Sequence, residues 1–167
     1  MGIVRTNVIL TLFAVCSLLM ACGGGANSNA SNTADASANN AQGENPNAPR
    51  TNAEELGLLV NMPYETDDLV WKEYPSRKML VAVMRFSSAD ASKIVAEAEK
   101  SGPAESVSIP SQTWFPDELI AQSEMSGDNA LKGSAYPANM FFQPPYSSGR
   151  ITRVESTDYF ILEISAK

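Results

Sequence analysis

The chain has no histidine, and that one absence removes several kinds of chemistry. Without an imidazole there is no Ser-His-Asp triad, no His-liganded metal and no His general base near neutral pH. Cysteine is almost as scarce. Two in 167 residues make neither a disulfide-dense scaffold nor a four-cysteine zinc site. Positive charge is short as well: 12 Lys and Arg stand against 19 Asp and Glu, a formal net charge of −7. That balance argues against a broad electrostatic grip on nucleic acid. No G-x-S-x-G is present, so a nucleophile elbow is excluded. Another absence is local. Residues 23–50, GGGANSNASNTADASANNAQGENPNAPR, hold no Val, Ile, Leu, Met or aromatic side chain.

The rest of the chain has enough apolar material to fold: 44% of residues are hydrophobic and 8% aromatic. The length suits one domain with a tail. Residues 1–7 carry one charge, Arg5, and Val8 to Met20 is a mostly apolar run, VILTLFAVCSLLM. A run this short falls below the roughly 20 residues that a membrane-spanning helix needs. It reads as the h-region of a secretory signal. The run closes on Leu19-Met20-Ala21-Cys22. With Leu19 and small Ala21 ahead of Cys22, this segment resembles the signal of bacterial lipoproteins. The resemblance covers only the signal, residues 1–21. It implies that Cys22 becomes the mature N-terminus and carries acyl chains. Gly23 rather than Asp after that cysteine implies, in a cell with two membranes, the outer one. An ordinary secretory signal cut near Ala21 and an uncleaved anchor are the alternatives; the polar stretch downstream favours the lipoprotein reading. Loss of Cys16 and Arg5 with the signal leaves one cysteine and 11 bases against 19 acids.

Residues 22–50 are expected to be a lipidated cysteine and a disordered tether. Nothing there can bury enough apolar surface to offset chain entropy. Asn, Ser, Gly, Pro46 and Pro49 argue against an Ala-rich helix. As a flexible coil, 28 residues span about 30 Å on average and about 95 Å fully stretched.

Residues 51–167 form the expected globular domain. Asn52 is placed to cap a short helix over 53–60. Leu69, Val70, Trp71 and Tyr74 suit an N-terminal wrap or an edge strand. Met79 to Phe86, MLVAVMRF, is the strongest strand signal, an apolar run expected in a strand covered on both faces. Ser87 and Asp90 have capping-box spacing before a helix to Lys100, in which Ala91, Ile94, Val95 and Ala98 make one apolar stripe. Ser101-Gly102-Pro103 stops it. Further expectations are strands over 105–109, 139–143, 150–155 and 158–165, a helix begun by Pro116, and a Gly/Ser/Asn-rich loop over 124–137. The order is then β-α-β-α-β-β-β. It predicts an α+β fold: one mixed or antiparallel sheet of about four to five strands, two helices packed on one face, and a ferredoxin-like arrangement as one option.

Candidate chemistry is thin. Glu65, Asp67 and Asp68 lack the ligand ladder and central Gly of a calcium loop. A Ser–Lys pair, Ser134 with Lys132, would need a buried lysine. With 19 acids, no positional pattern selects a carboxylate pair for glycoside hydrolysis. No catalytic residue, metal or cofactor is therefore expected. The densest aromatic set is Trp114, Phe115, Tyr136, Phe141, Phe142 and Tyr146. Core packing accounts for part of it. The candidate binding surface drawn from this stretch is Trp114, Tyr136, Phe142, Tyr146 and Arg150, with at least one of Trp114, Tyr136 and Tyr146 exposed. Arg150 and Arg153 suit an anionic group, although Glu155 and Asp158 are equally placed to pair with them. The expected partners are a lipid bilayer, through acylated Cys22, and an envelope protein; nucleic acid is not one. The role favoured is a non-enzymatic binding or structural one in the cell envelope. An envelope hydrolase and a small-ligand carrier stand as alternatives.

Overall fold

The computed structural model describes residues 48–167. Cys22, the signal and almost all of the tether lie outside the described residues. Three helices, α1 (Ala53–Gly57), α2 (Ser88–Glu99) and α3 (Asp117–Ser126), accompany six strands. The strands are β1 (Asp68–Tyr74), β2 (Met79–Arg85), β3 (Glu105–Pro110), β4 (Ala130–Pro137), β5 (Tyr146–Val154) and β6 (Tyr159–Ala166). They form one sheet in the order β1-β2-β6-β5-β4-β3, and every neighbouring pair is antiparallel. The α+β class and single antiparallel sheet agree with expectation, but the sheet has six strands rather than four or five. One strand, β3, separates α2 from α3, whereas a ferredoxin-like β-α-β-β-α-β order has two between its helices.

The local causes are legible. The Oδ1 of Asn52 accepts from the N–H groups of Glu54 and Glu55 and starts α1. Ser87 Oγ accepts from Asp90 N and caps α2. β2 is buried along its centre, with alternate residues entering opposite layers. On one face Leu80, Ala82 and Met84 meet Phe160, Leu162 and Ile164 of β6 under Leu56 of α1 and Ala91, Ile94 and Ala98 of α2. On the other face Val81 and Val83 meet Tyr159 and Ile161 under Leu119 of α3 and Phe115, which precedes that helix. The helices thus cover both faces, not one, because period-two alternation turns an apolar run into two cores.

Two assignments change. The segment 139–143, read as a strand, is a 3-10 turn over Asn139–Phe141. The strand lies earlier, at β4, inside the stretch read as a loop. Gly133 explains its composition. A Cβ there would press on the Arg153 carbonyl and the Thr152 side chain across the β4–β5 pair, so small residues are a packing demand and not a loop signature. Arg50 also joins the fold. Its N–H and C=O exchange 2.8 Å hydrogen bonds with Trp71, and its guanidinium lies 4.4 Å from the Trp71 ring centroid.

Two tyrosines tie the layers to carboxylates. Tyr146 Oη donates to Glu73 (3.0 Å) and Tyr159 Oη donates to Asp68 (2.8 Å). Burial first, then the carboxylate partner, pushes each phenol up to about 12. The fold favours the protonated phenol, so this stabilisation is whole below pH 10 and fades as pH climbs toward 12. A phenolate absorbance titration should show a late phase near pH 12, from which Tyr146→Phe and Tyr159→Phe each remove one equivalent. If neither substitution changes that phase, the carboxylate contacts do not govern the alkaline transition.

Candidate functional site

The expected aromatic surface is divided by the sheet. Tyr136 and Tyr146 are only 8% and 7% exposed and belong, with half-buried Phe142, to the layer under α1 and α2. Both tyrosines sit in strands with their side chains in the layer under α1 and α2, and that placement buries them. Trp114 is half-buried in the opposite layer, its ring edge-on to Phe115 and its Nε1 donating to Gln112 Oε1 at 2.7 Å. Arg150 is exposed and pairs with Glu163 at 2.6 Å. Trp114 therefore lies across the sheet from the three other aromatics; Arg150, which the register puts on the Trp114 face, is held there by Glu163. Among the described residues the exposed large hydrophobic side chains are Leu58 and Met125, neither of them aromatic.

One open depression, about 490 Å³, lies between Ala53, Met62, Tyr64 and Thr66, and further concavity surrounds Tyr136. Two open depressions adjoin it on the α2 side of the sheet. The larger, about 440 Å³, is lined by Val95 of α2, Ser134 and Tyr136 of β4, Arg153 of β5 and the β5–β6 turn to Asp158. The smaller, about 280 Å³, runs from Gly102 and Glu105 past Tyr136 to Arg150. Antiparallel register places Ser134 opposite Arg153. The tight turn at Glu155–Thr157, with Ser156 at φ 60°, brings Asp158 back to Arg153 at 2.9 Å. Ser88 Oγ donates to the other Asp158 oxygen, and Arg153 Nε donates to Thr157 O.

Asp158 neutralises Arg153 and occupies one of its amino groups. Among the described residues Ser134 Oγ and Tyr136 Oη have no hydrogen-bond partner. The notch can thus offer hydroxyls and the free guanidinium edge to an oxygen-rich polar group, with Val95 as an apolar wall. With Glu155 on its rim as well, carboxylates outnumber the one guanidinium, so it suits a neutral polar ligand or a peptide carbonyl better than a phosphate. The expected Arg153–Asp158 pairing is present; Arg150 chooses Glu163 over Glu155 because β6 lies beside it in the sheet.

Lys132 and Ser134 stand two apart on β4, hence on one face, but Lys132 is exposed and no hydrogen bond joins the pair. Among the described residues no group of three His, Cys, Asp or Glu side chains is placed to hold a metal ion, and no helix is long and apolar enough to cross a membrane. From the sequence Ser134 stood out only as the partner of Lys132 and Val95 only as part of the helix stripe, since β4 looked like a loop. The sole available signal was the hairpin turn at Ser156-Thr157, which implies the facing of Arg153 and Asp158. Compared with known proteins, the chain matches no family model, no curated protein and no solved structure at a significant level.

Proposed function

We propose that this protein is a membrane-anchored envelope lipoprotein whose small α+β domain has a non-enzymatic binding role, exercised at the notch beside Tyr136. One observation carries the anchoring: Leu19-Met20-Ala21-Cys22 is followed directly by 28 residues without a large apolar side chain. An acylated cysteine ahead of a polar leash holds a domain near a membrane without inserting it. The pairing of Arg50, the last residue of that polar stretch, with Trp71 supports this division. The notch supports a binding role by its unspent hydroxyls and shared guanidinium, and by being open rather than closed as a carrier's apolar pocket would be.

Cys22→Ser tests the reading. With labelled palmitate and membrane fractionation, the native protein should take label and pellet with membranes. The variant should lose the label and either stay uncleaved or appear in the soluble fraction. Two acyl chains at about 0.8 kcal/mol per buried CH₂ make retention effectively all-or-none. An unlabelled native protein that pellets as well as its variant would defeat the proposal.

A further inference from the structure

Of the 11 basic residues among those described, five are ion-paired: Arg50, Lys93, Lys100, Arg150 and Arg153. Six have no ion-pair partner among the described residues, and four of the six gather at one corner of the sheet. Lys72, Arg77 and Lys78 belong to the β1–β2 hairpin, and Lys167 follows Ala166, whose N–H donates to the Lys78 carbonyl. The acids of β1 and β6 are taken, Asp68 by Tyr159. Glu73 holds Arg50 and Tyr146, and Glu163 holds Arg150. The corner is therefore locally cationic in a chain of net charge −7.

The same corner presents two half-buried aromatics. Tyr74 Oη and Trp114 Nε1 both donate to Gln112 Oε1 at 2.7 Å. Lys72 Nζ and Arg77 Cζ lie 5.3 and 5.9 Å from the centre of the Tyr74 ring. Amphipathic rings rimmed by long cationic side chains match the boundary between lipid headgroups and acyl chains. Position supports the match. The chain enters the fold at Trp71, three residues and about 10 Å along the strand from Tyr74. The corner thus lies beside the root of the leash.

We infer that the β1–β2 hairpin corner, with Trp114, docks on anionic phospholipid headgroups of the bilayer that holds the anchor. This deepens the proposed function and rests on the lipid anchoring proposed there. Magnitudes explain why both parts are needed. Each cation near an anionic leaflet improves partitioning about fivefold, so three give roughly a hundredfold. That is weak for a free domain. A leash of this length supplies an effective concentration in the millimolar range, which makes the same contact substantially occupied. The acidic remainder of the domain opposes docking little, because screening acts within about 8 Å at physiological salt.

The test uses the full chain, acylated and purified from membranes, reconstituted into vesicles of phosphatidylcholine alone or with one-third phosphatidylglycerol. Brominated phosphatidylcholine reports bilayer contact by quenching tryptophan emission. Quenching should be at least twofold greater in the anionic vesicles and should fall to the neutral level in 0.5 M salt. Trp114→Phe should abolish the excess, since Trp71 is fully buried. Lys72→Glu/Arg77→Glu should abolish it with an unchanged melting curve. Equal quenching in both vesicle types, or an excess that survives the double charge reversal, overturns the docking. Flotation with the neutral vesicles reports anchoring separately, and failure to float overturns the lipoprotein reading alone. In that event the same chain should still co-sediment with pure phosphatidylglycerol vesicles at low salt and lose this with the double reversal. Its failure to co-sediment overturns the docking too.

Discussion

Trp71→Ala should lower the stability of this domain by about 3–5 kcal/mol, the range for deleting a large buried aromatic. The side chain is fully buried, its Nε1 donates to Asn52 O at 3.1 Å, and its ring carries the Arg50 guanidinium. One substitution therefore opens a cavity under α1 and strands the cap residue and the first paired residue of the chain. Trp71→Phe separates these effects. It keeps most of the packing and loses one hydrogen bond and part of the cation–π contact, at about 1–2 kcal/mol. Chemical denaturation of both variants checks the order. Equal losses would show that the indole N–H, not ring volume, is the dominant contribution.

Gly149→Ala should be nearly as damaging, at about 3 kcal/mol or more, and should lower the melting temperature by more than about 10 °C. Gly149 has φ +142°, which costs any L side chain about 1–2 kcal/mol. The new Cβ would also be driven against the Glu163 carbonyl and the Ile164 backbone, in the pairing of β5 with β6. Overpacking of this kind adds about 1–3 kcal/mol. Neither atom belongs to a flexible side-chain end, so the strain must move a strand. Gly57→Ala is the control. Gly57 is exposed, ends α1 and has no atom within 4 Å of its would-be Cβ. That variant should melt at the native temperature or slightly above. Similar melting for the two alanine variants would remove the steric argument.

How far the residues foretold the structure depended on whether their signal was local. β2 and α2 were legible because an apolar run, a capping serine and a Gly-Pro stop all lie within 25 residues of one another. The hairpin of β5 and β6 announced itself by alternation on both sides of Ser156-Thr157. β1 was legible only as one of two options, since an edge strand carries half the apolar signal of a central one. β4 was illegible. Its small residues answer to the backbone of β5, more than 15 positions away, and no local pattern reports that. The site shared the fate of its strand: with 130–137 taken for a loop, Tyr136 looked exposed and Ser134 had no neighbour but Lys132. The split of the aromatic set was hidden for the same reason. Trp114 and Tyr136 are on opposite faces because a strand parity decides it, and that strand was not recognised.

The bond between Arg50 and Trp71 has a consequence for assembly. Trp71 is the central residue of the seven in β1, and its N–H and C=O, turned outward from β2, are already occupied. A strand from another molecule cannot lie along that border without expelling Arg50. The opposite border, β3, has no such cover among the described residues. Two copies meeting there side by side would use up each other's open border, and the joined sheet would end in an occupied one at both extremes. Edge-to-edge growth thus terminates at a pair, and the polymerisation that a sheet open on both sides invites is closed to this one.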